Sequence, residues 1–79
     1  MTIRRIARKT RYLVTYPAGP DTATNTVRAH STESAIRAAR LAGFTTPAGR
    51  TVDLNAEPEV RKVTRRGDVH VYGPRYEGR

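Results

Sequence analysis

The chain contains no cysteine. It therefore has no disulfide, no thiol nucleophile and no zinc site built on thiolates. No apolar run approaches the roughly 18 residues of a membrane-spanning helix, and the N-terminus lacks the apolar stretch of a signal peptide. The seven carboxylates form no metal-ligand pattern. These absences predict a cytoplasmic protein without a cofactor, a metal or a membrane contact.

Large apolar residues are also scarce. Leucine, isoleucine, valine and phenylalanine account for 14 of the 79 residues, and the net charge is +8. This composition lies close to that of chains that stay unfolded. We therefore expect one small domain whose core supplies roughly a few kcal/mol of stability, so that a second copy or a partner would stabilise it further.

Acidic residues are few, and their placement is informative. Residues 1–11 carry five bases and no acid, residues 12–60 carry four bases and five acids, and residues 61–79 carry six bases and two acids. The positive excess therefore lies at the two ends of the chain, which predicts a polyanionic partner. Arginine outnumbers lysine 13 to 2. That ratio fits both a GC-rich genome and bidentate recognition of phosphate or guanine, and decides nothing alone.

Local patterns predict an α+β domain in the order β-β-α-β-β-β, with an antiparallel sheet and one helix packed on a face. Residues 12–16 are rich in aromatic and β-branched side chains and predict the first strand, with Tyr12, Val14 and Tyr16 on one face. Residues 17–21 predict a turn, and residues 24–30 predict the second strand.

The helix is predicted over residues 31–42. Ser31 suits the N-cap, Glu33 lies in the first turn, and Gly43 suits the C-terminal end with Phe44 folding back. Four alanines form a stripe, flanked by two larger apolar residues, that we expect to pack on the first two strands. These residues are Ala35, Ala38, Ala39 and Ala42, with Ile36 and Leu41.

The second half of the chain predicts three strands. Residues 51–54 predict a short one, and residues 60–65 and 69–72 predict an antiparallel hairpin around a turn at residues 66–68. The domain is predicted to span residues 12–73. A basic N-terminal arm over residues 1–11 precedes it, and a tail over residues 74–79 follows it.

Two patterns suggest other activities. His30 and His70 could act as base and acid in RNA cleavage, but a position beside a helix cap and one on an exposed hairpin face are ordinary for histidine. Arg66-Gly67-Asp68 spells an adhesion tripeptide, which a hairpin turn explains fully. The chain is therefore predicted not to be an enzyme.

Basic residues next to tyrosines form the predicted nucleic-acid-binding site. Basic side chains neutralise phosphates and release counterions, and tyrosines stack on bases or bond to the backbone. The predicted site residues are Arg4, Arg5, Arg8, Lys9 and Arg11 in the arm, and Arg61, Lys62, Arg65, Arg66, Tyr72, Arg75 and Tyr76 in the hairpin and tail.

Part of the chain also resembles the arm-type DNA-binding domain of tyrosine recombinases. The family's strand, turn, strand and capped helix correspond to Arg11–Tyr16, Pro17–Asp21, Thr24–His30 and Ser31–Gly43. Domains of this type lay a sheet in the major groove, so the resemblance implies that a sheet face contacts DNA. The family's strand tryptophan is absent here, and the basic hairpin has no counterpart in that family, so the resemblance serves as an analogy.

The sequence thus predicts a small basic nucleic-acid-binding protein, with DNA favoured slightly over RNA. The composition favours a GC-rich prokaryote, or a phage or mobile element within one, as its source. The alternative is a protein-interaction or assembly module that forms a homodimer or binds an acidic protein. A small endoribonuclease that uses the two histidines ranks third.

Overall fold

A computed structural model describes residues 9–46 and 51–76. They form a four-stranded antiparallel sheet in the order β2-β1-β3-β4, with one helix packed against β1 and β2. The elements are β1 (Thr10–Ala18), β2 (Asp21–Ala29), α1 (Thr32–Ala42), β3 (Glu59–Thr64) and β4 (Gly67–Tyr72). The α+β class and the antiparallel sheet are therefore confirmed. No helix in these two ranges is long and apolar enough to cross a membrane.

A two-residue turn at Gly19 and Pro20 joins β1 to β2. Gly19 has φ 66°, and the proline ring fixes the next φ near about −65°, as a type II′ hairpin turn requires. Pairing therefore starts at Ala18↔Asp21 and includes all nine residues of each strand. Both strands are longer than predicted, because the turn has two residues and the predicted turn had five, including Ala18 and Asp21.

The core lies between α1 and the face of the sheet that carries Tyr12, Val14 and Tyr16 of β1. Tyr16 is fully buried and meets Phe44 edge to face, with ring centroids 5.2 Å apart. Ala35 and Ala39 are also fully buried, which lets α1 approach the sheet closely. Leu41 is 84% exposed, against expectation, because it lies about 200° around the helix from Ala39. The other buried core residues are Tyr12, Val14, Ala29 and Val60.

The ends of α1 agree with the sequence prediction. The Ser31 hydroxyl accepts from the Ser34 amide and the Ser34 hydroxyl accepts from the Ser31 amide, both at 3.2 Å. This is a capping box with serine in place of the usual glutamate or glutamine. At the other end, Gly43 has φ 89° and donates its amide proton to the Ala39 carbonyl.

The predicted strand at residues 51–54 is wrong. The Asp53 amide donates to the Pro17 carbonyl. Pro17 has no N–H to donate in return, so a ladder of backbone hydrogen bonds between this segment and β1 does not continue. The chain turns instead, because the Asp53 side chain accepts from the Asn55 amide and its carbonyl accepts from the Ala56 amide. The described residues therefore follow the order β-β-α-β-β.

The β3–β4 hairpin turns earlier than predicted. Thr64 pairs with Gly67, so Arg65 and Arg66 are the two turn residues. The Thr64 hydroxyl donates to the Gly67 carbonyl at 2.7 Å and accepts from the Arg66 amide at 3.2 Å. The turn thus places two arginines at the tip of the hairpin, and the Thr64 side chain holds the backbone of the turn through these two hydrogen bonds.

β4 contains a β-bulge. Arg61 pairs with His70 whereas Val60 pairs with Tyr72, so β4 has one extra residue, Val71. A bulge interrupts the two-residue alternation of a strand. The alternation that would place His70 and Tyr72 on one face of a regular strand is therefore interrupted in β4.

Residues 73–76, here called the C-terminal segment, pack against the start of β3. Gly73 has φ 80°, and a Cβ atom there would lie 1.9 Å from the Pro58 carbonyl oxygen. The Tyr76 amide donates to the Glu59 carboxylate at 2.9 Å. Glu59 pairs with Thr15, and both are buried on the face away from α1. This part of the predicted tail is therefore attached to the domain.

Candidate nucleic-acid interface

The sheet register brings exposed bases together at one end of the molecule. β3 runs antiparallel to β1, and their pairing reaches Tyr12↔Lys62, so the β3–β4 tip points past the end at which β1 begins. β2 finishes at the same end, because Arg28 pairs with Arg11. We call this the basic end. Its exposed basic residues are Lys9, Arg11, Arg28, Lys62, Arg65 and Arg66.

Carboxylates gather at the opposite end of the sheet, here called the acidic end. Asp53 bonds to β1 at Pro17, and Glu59 pairs with Thr15 near the same end of that strand. Four of the six acids among the described residues lie here. These four are Asp21, Asp53, Glu57 and Glu59. Arg40 and Arg75 also lie near the acidic end, so its net charge is small, and a polyanion is attracted mainly to the basic end.

Arg11 and Arg28 lie directly opposite each other on neighbouring strands. Both are exposed on the face away from α1, because the next pair, Tyr12 and Val27, belongs to the core side. Like charges in such a pair destabilise a sheet, so an anion bound between them would relieve a repulsion built into the fold. Two guanidinium groups also suit a phosphate, which accepts charge-assisted hydrogen bonds.

Sequence reasoning missed Arg28, which it placed in the neutral middle of the chain. The missing information was the register of the first hairpin. A two-residue turn at Gly19 and Pro20 fixes every pair along both strands, including Arg11↔Arg28. The predicted turn had five residues, 17–21, and a turn of that length leaves the register open.

Arg65 and Arg66 lie at the end of a two-stranded part of the sheet. β3 pairs with β1 only as far as Lys62, and Val63 and Thr64 pair with β4 alone. At about 3.3 Å per residue, this two-stranded part is roughly 7–10 Å long, and β1 continues in the same direction as far as Thr10. The nearby acid, Asp68, has Oδ2 3.8 Å from Arg61 Nη1. Arg61 therefore offsets part of the charge of Asp68, and the two arginines leave the tip itself positive.

Arg61 and Lys62 occupy different environments although they are adjacent. Arg61 is half-buried between two carboxylates, with Nε 3.9 Å from Glu59 Oε2 as well as the contact to Asp68. Much of its charge is therefore balanced within the protein, and we expect it to contribute little to binding. Lys62 is exposed at the basic end, opposite Tyr12 of β1.

Tyr72, Arg75 and Tyr76 lie away from the basic end. The Tyr72 hydroxyl donates to the Glu57 carboxylate, and the Tyr76 hydroxyl donates to the Glu57 carbonyl. Arg75 is exposed in the C-terminal segment. β4 takes the chain about 20 Å away from the tip. Tyr72, Arg75 and Tyr76 therefore lie far from Arg65 and Arg66, although they are close to them in sequence.

Only residues 9–11 of the predicted arm lie within the described part of the chain. Arg4, Arg5 and Arg8 lie outside the described residues. Lys9 is exposed, and Arg11 belongs to β1, which begins at Thr10.

The two histidines lie on opposite edges of the sheet. His30 follows β2, whereas His70 is in β4, where its Nε2 is hydrogen-bonded to the Gly73 carbonyl at 2.7 Å. Three strand spacings separate these edges, or about 14 Å, which is too far for one phosphate to contact both rings. Within residues 9–46 and 51–76, no group of three His, Asp or Glu side chains is placed to hold a metal ion.

The two tyrosines predict a loss of stability at alkaline pH. The hydrogen bond to Glu57 raises the pKa of Tyr72, and removal from water together with nearby carboxylates raises the pKa of Tyr76. Because each pKa is higher in the folded chain than in the unfolded one, the folded chain holds these protons more tightly. The contribution of the two tyrosines to the free energy of unfolding is complete below about pH 10, and it declines as the pH rises through their pKa values in the folded chain.

Urea midpoints at pH 8.5 and pH 11 measure this loss. We expect the Tyr72→Phe/Tyr76→Phe variant to show a smaller drop between the two pH values than the parent, while being less stable at pH 8.5. An equal drop in parent and variant would mean that other groups cause the alkaline loss.

Comparison with known proteins gives no match: no family matches the chain, and no curated protein or solved structure is significantly similar to it. The interpretation of the basic end therefore rests on its own geometry and charge.

Proposed function

We propose that this protein binds nucleic acid through the basic end of its sheet, with DNA favoured over RNA. The observation that carries the proposal is the separation of charge along the sheet. Six exposed basic residues from three strands and their connections lie at one end, and four carboxylates lie at the other. A polyanion can neutralise several of these bases at once and release the counterions condensed on it.

The N-terminal arm supports the same proposal. The chain enters β1 at the basic end, and residues 1–8 add Arg4, Arg5 and Arg8 with no acid. The arm is therefore joined to the molecule where a polyanion would bind. We expect it to add phosphate contacts to those made by Arg11 and Arg28.

An Arg11→Gln/Arg28→Gln variant tests the proposal. Each lost phosphate contact lowers the slope of log affinity against log salt by about 0.9 on duplex DNA. We expect the slope to become less steep by about 1.8, with weaker binding at every salt concentration. Fluorescence anisotropy on a labelled duplex over a salt series measures both quantities. The variant should be at least as stable as the parent, because it removes a like-charge pair.

The matched control is Arg37→Gln/Arg75→Gln. It lowers the net charge equally, but Arg37 is on the exposed side of α1 and Arg75 is in the C-terminal segment. We expect its salt slope to stay within about 0.5 of the parent, which is less than the value of about 0.9 for a single phosphate contact. Equal changes in the two variants would show that total charge, and not the basic end, governs binding.

A protein-interaction module is the second candidate, and the outer edge of the sheet favours it. β4 is an edge strand, with Val69 49% exposed and Val71 41% exposed. Edge strands pair with other chains unless they are protected. Sedimentation equilibrium distinguishes the two proposals, because a stable dimer that is not retained on nucleic acid would favour the assembly role.

A further inference from the structure

We infer that the tip of the β3–β4 hairpin enters the major groove of duplex DNA, where Arg65 and Arg66 contact guanine. This inference rests on the proposed function and identifies the form of nucleic acid and the residues that read it. Three observations carry it: the location of the aromatic side chains, the reach of the hairpin and the bracing of its turn.

The basic end has no aromatic side chain on which an unpaired base could stack. All five aromatic residues of the chain lie in its described part. Tyr12, Tyr16 and Phe44 pack in or against the core, and the hydroxyls of the other two bind Glu57 at the acidic end. Binding of single strands depends on stacking bases against such side chains. The basic end therefore suits a duplex, whose bases are already stacked on one another.

The hairpin has the dimensions of a groove-reading element. A two-stranded ribbon fits the major groove of B-form DNA, which is about 12 Å wide and about 8.5 Å deep. The two-stranded part of the hairpin beyond the β1 pairing is roughly 7–10 Å long, which is close to that depth. The major groove of A-form RNA is too narrow for side chains to read, so the same tip would not reach the bases of an RNA duplex.

The turn holds the two arginines on a braced backbone. The Thr64 hydroxyl bonds to both the Gly67 carbonyl and the Arg66 amide, so less backbone freedom is lost on binding. Arg65 and Arg66 are both exposed. An arginine donates two parallel N–H hydrogen bonds to the O6 and N7 acceptors of guanine, which is the commonest specific contact in the major groove.

The neighbouring bases would hold the DNA in place for this contact. Arg11 and Arg28 lie on β1 and β2 at the same end of the sheet as the tip. Phosphate contacts of this kind set the position of a protein on the duplex, while contacts to base edges supply specificity. The molecule therefore has separate residues for positioning and for reading.

The first experiment compares four probes at physiological salt: a guanine-containing DNA duplex, one of its single strands, the RNA duplex of the same sequence, and the DNA duplex with 7-deazaguanine, which lacks the N7 acceptor. We expect the unmodified DNA duplex to bind tightest. The 7-deazaguanine duplex should bind at least about five-fold more weakly, the lower end of the range for a bidentate base contact, because its guanines keep O6 and lose only N7. Equal affinity for the two DNA duplexes, or tighter binding of the single strand or the RNA, would overturn the inference.

The second experiment uses Arg65→Lys/Arg66→Lys. Lysine keeps the charge but lacks the planar pair of donors. We expect an unchanged salt slope and a weaker preference for guanine over 7-deazaguanine, because an ammonium group can still donate to N7 but lacks the planar fork. The control, Lys62→Arg, should keep both the slope and the preference. If the lysine variant distinguishes the two duplexes as well as the parent does, Arg65 and Arg66 are not the residues that contact guanine.

A variant of the turn separates reading from charge. Thr64→Val removes both hydroxyl bonds at the tip without altering any charge. It should reduce the guanine preference at least two-fold while leaving the salt slope unchanged, and an unaltered preference counts against a braced reading tip. The proposed function fails separately, if none of the four probes binds with salt-dependent affinity. Salt-dependent binding without guanine preference overturns the inference alone.

Discussion

Tyr16→Ala is expected to leave most of the chain unfolded at 25 °C. Tyr16 is fully buried, its ring packs edge to face on Phe44, and its hydroxyl accepts from Arg40 Nη1 at 3.4 Å. Truncating a buried aromatic residue to alanine costs about 3–5 kcal/mol. A core in a chain this short supplies about the same amount in total. Circular dichroism against temperature and urea would show whether a cooperative transition survives.

Leu41→Ala is the control for this prediction. Both residues were expected to pack near the helix–sheet contact, yet Leu41 is 84% exposed, and exposed substitutions change stability by about 0.5 kcal/mol or less. A third variant, Tyr16→Phe, keeps the ring and loses the bond from Arg40, for which we expect about 1 kcal/mol. If Leu41→Ala proved as damaging as Tyr16→Ala, the described packing of α1 would be incorrect.

Gly73→Ala is expected to have the second largest effect, at about 3 kcal/mol or more, because two penalties act together. The backbone has φ 80°, which side chains rarely adopt, and the added Cβ would lie 1.9 Å from the Pro58 carbonyl oxygen and 3.0 Å from its carbon. Backbone must move to relieve such a contact. That movement would pull the Tyr76 amide away from buried Glu59.

Gly43→Ala separates the two penalties. Gly43 has φ 89°, but a Cβ there meets nothing within 4 Å, so only the backbone conformation is penalised, at about 1 kcal/mol. Hydrogen exchange at the Tyr76 amide provides a second measurement, because Gly73→Ala should expose that amide and Gly43→Ala should not. Equal losses of stability in the two variants would refute close packing of the C-terminal segment on Pro58.

Sequence reasoning succeeded where a few adjacent residues decide the structure. Ser31 and Gly43 mark the two ends of α1 through bonds to residues three or four positions away. The alternation at Tyr12, Val14 and Tyr16 likewise identifies the core face of β1. Both patterns depend on local chemistry, and both were predicted correctly.

Sequence reasoning failed where the outcome depends on strand register or on distant contacts. Arg28 joins the basic end only because a two-residue turn pairs it with Arg11. Tyr72 and Tyr76 meet Glu57 because β4 returns the chain to the start of β3. Their partners lie 15 and 19 residues away in the sequence. The basic residues could be identified from the sequence, but which of them lie together at one end of the sheet could not be predicted.

If the protein binds a polyanion as proposed, the uneven distribution of charge along the sheet also affects how fast that partner arrives. A molecule with such a dipole turns in the field of a polyanion before the two touch, so a larger share of collisions begins with the arginines in front. Steering of this kind raises association rates and weakens as salt screens the field. The four carboxylates of the acidic end lower the positive charge there, so encounters in the other orientation are brief. On the proposed function, the carboxylates that hold the C-terminal segment would therefore also help to orient the protein as it approaches.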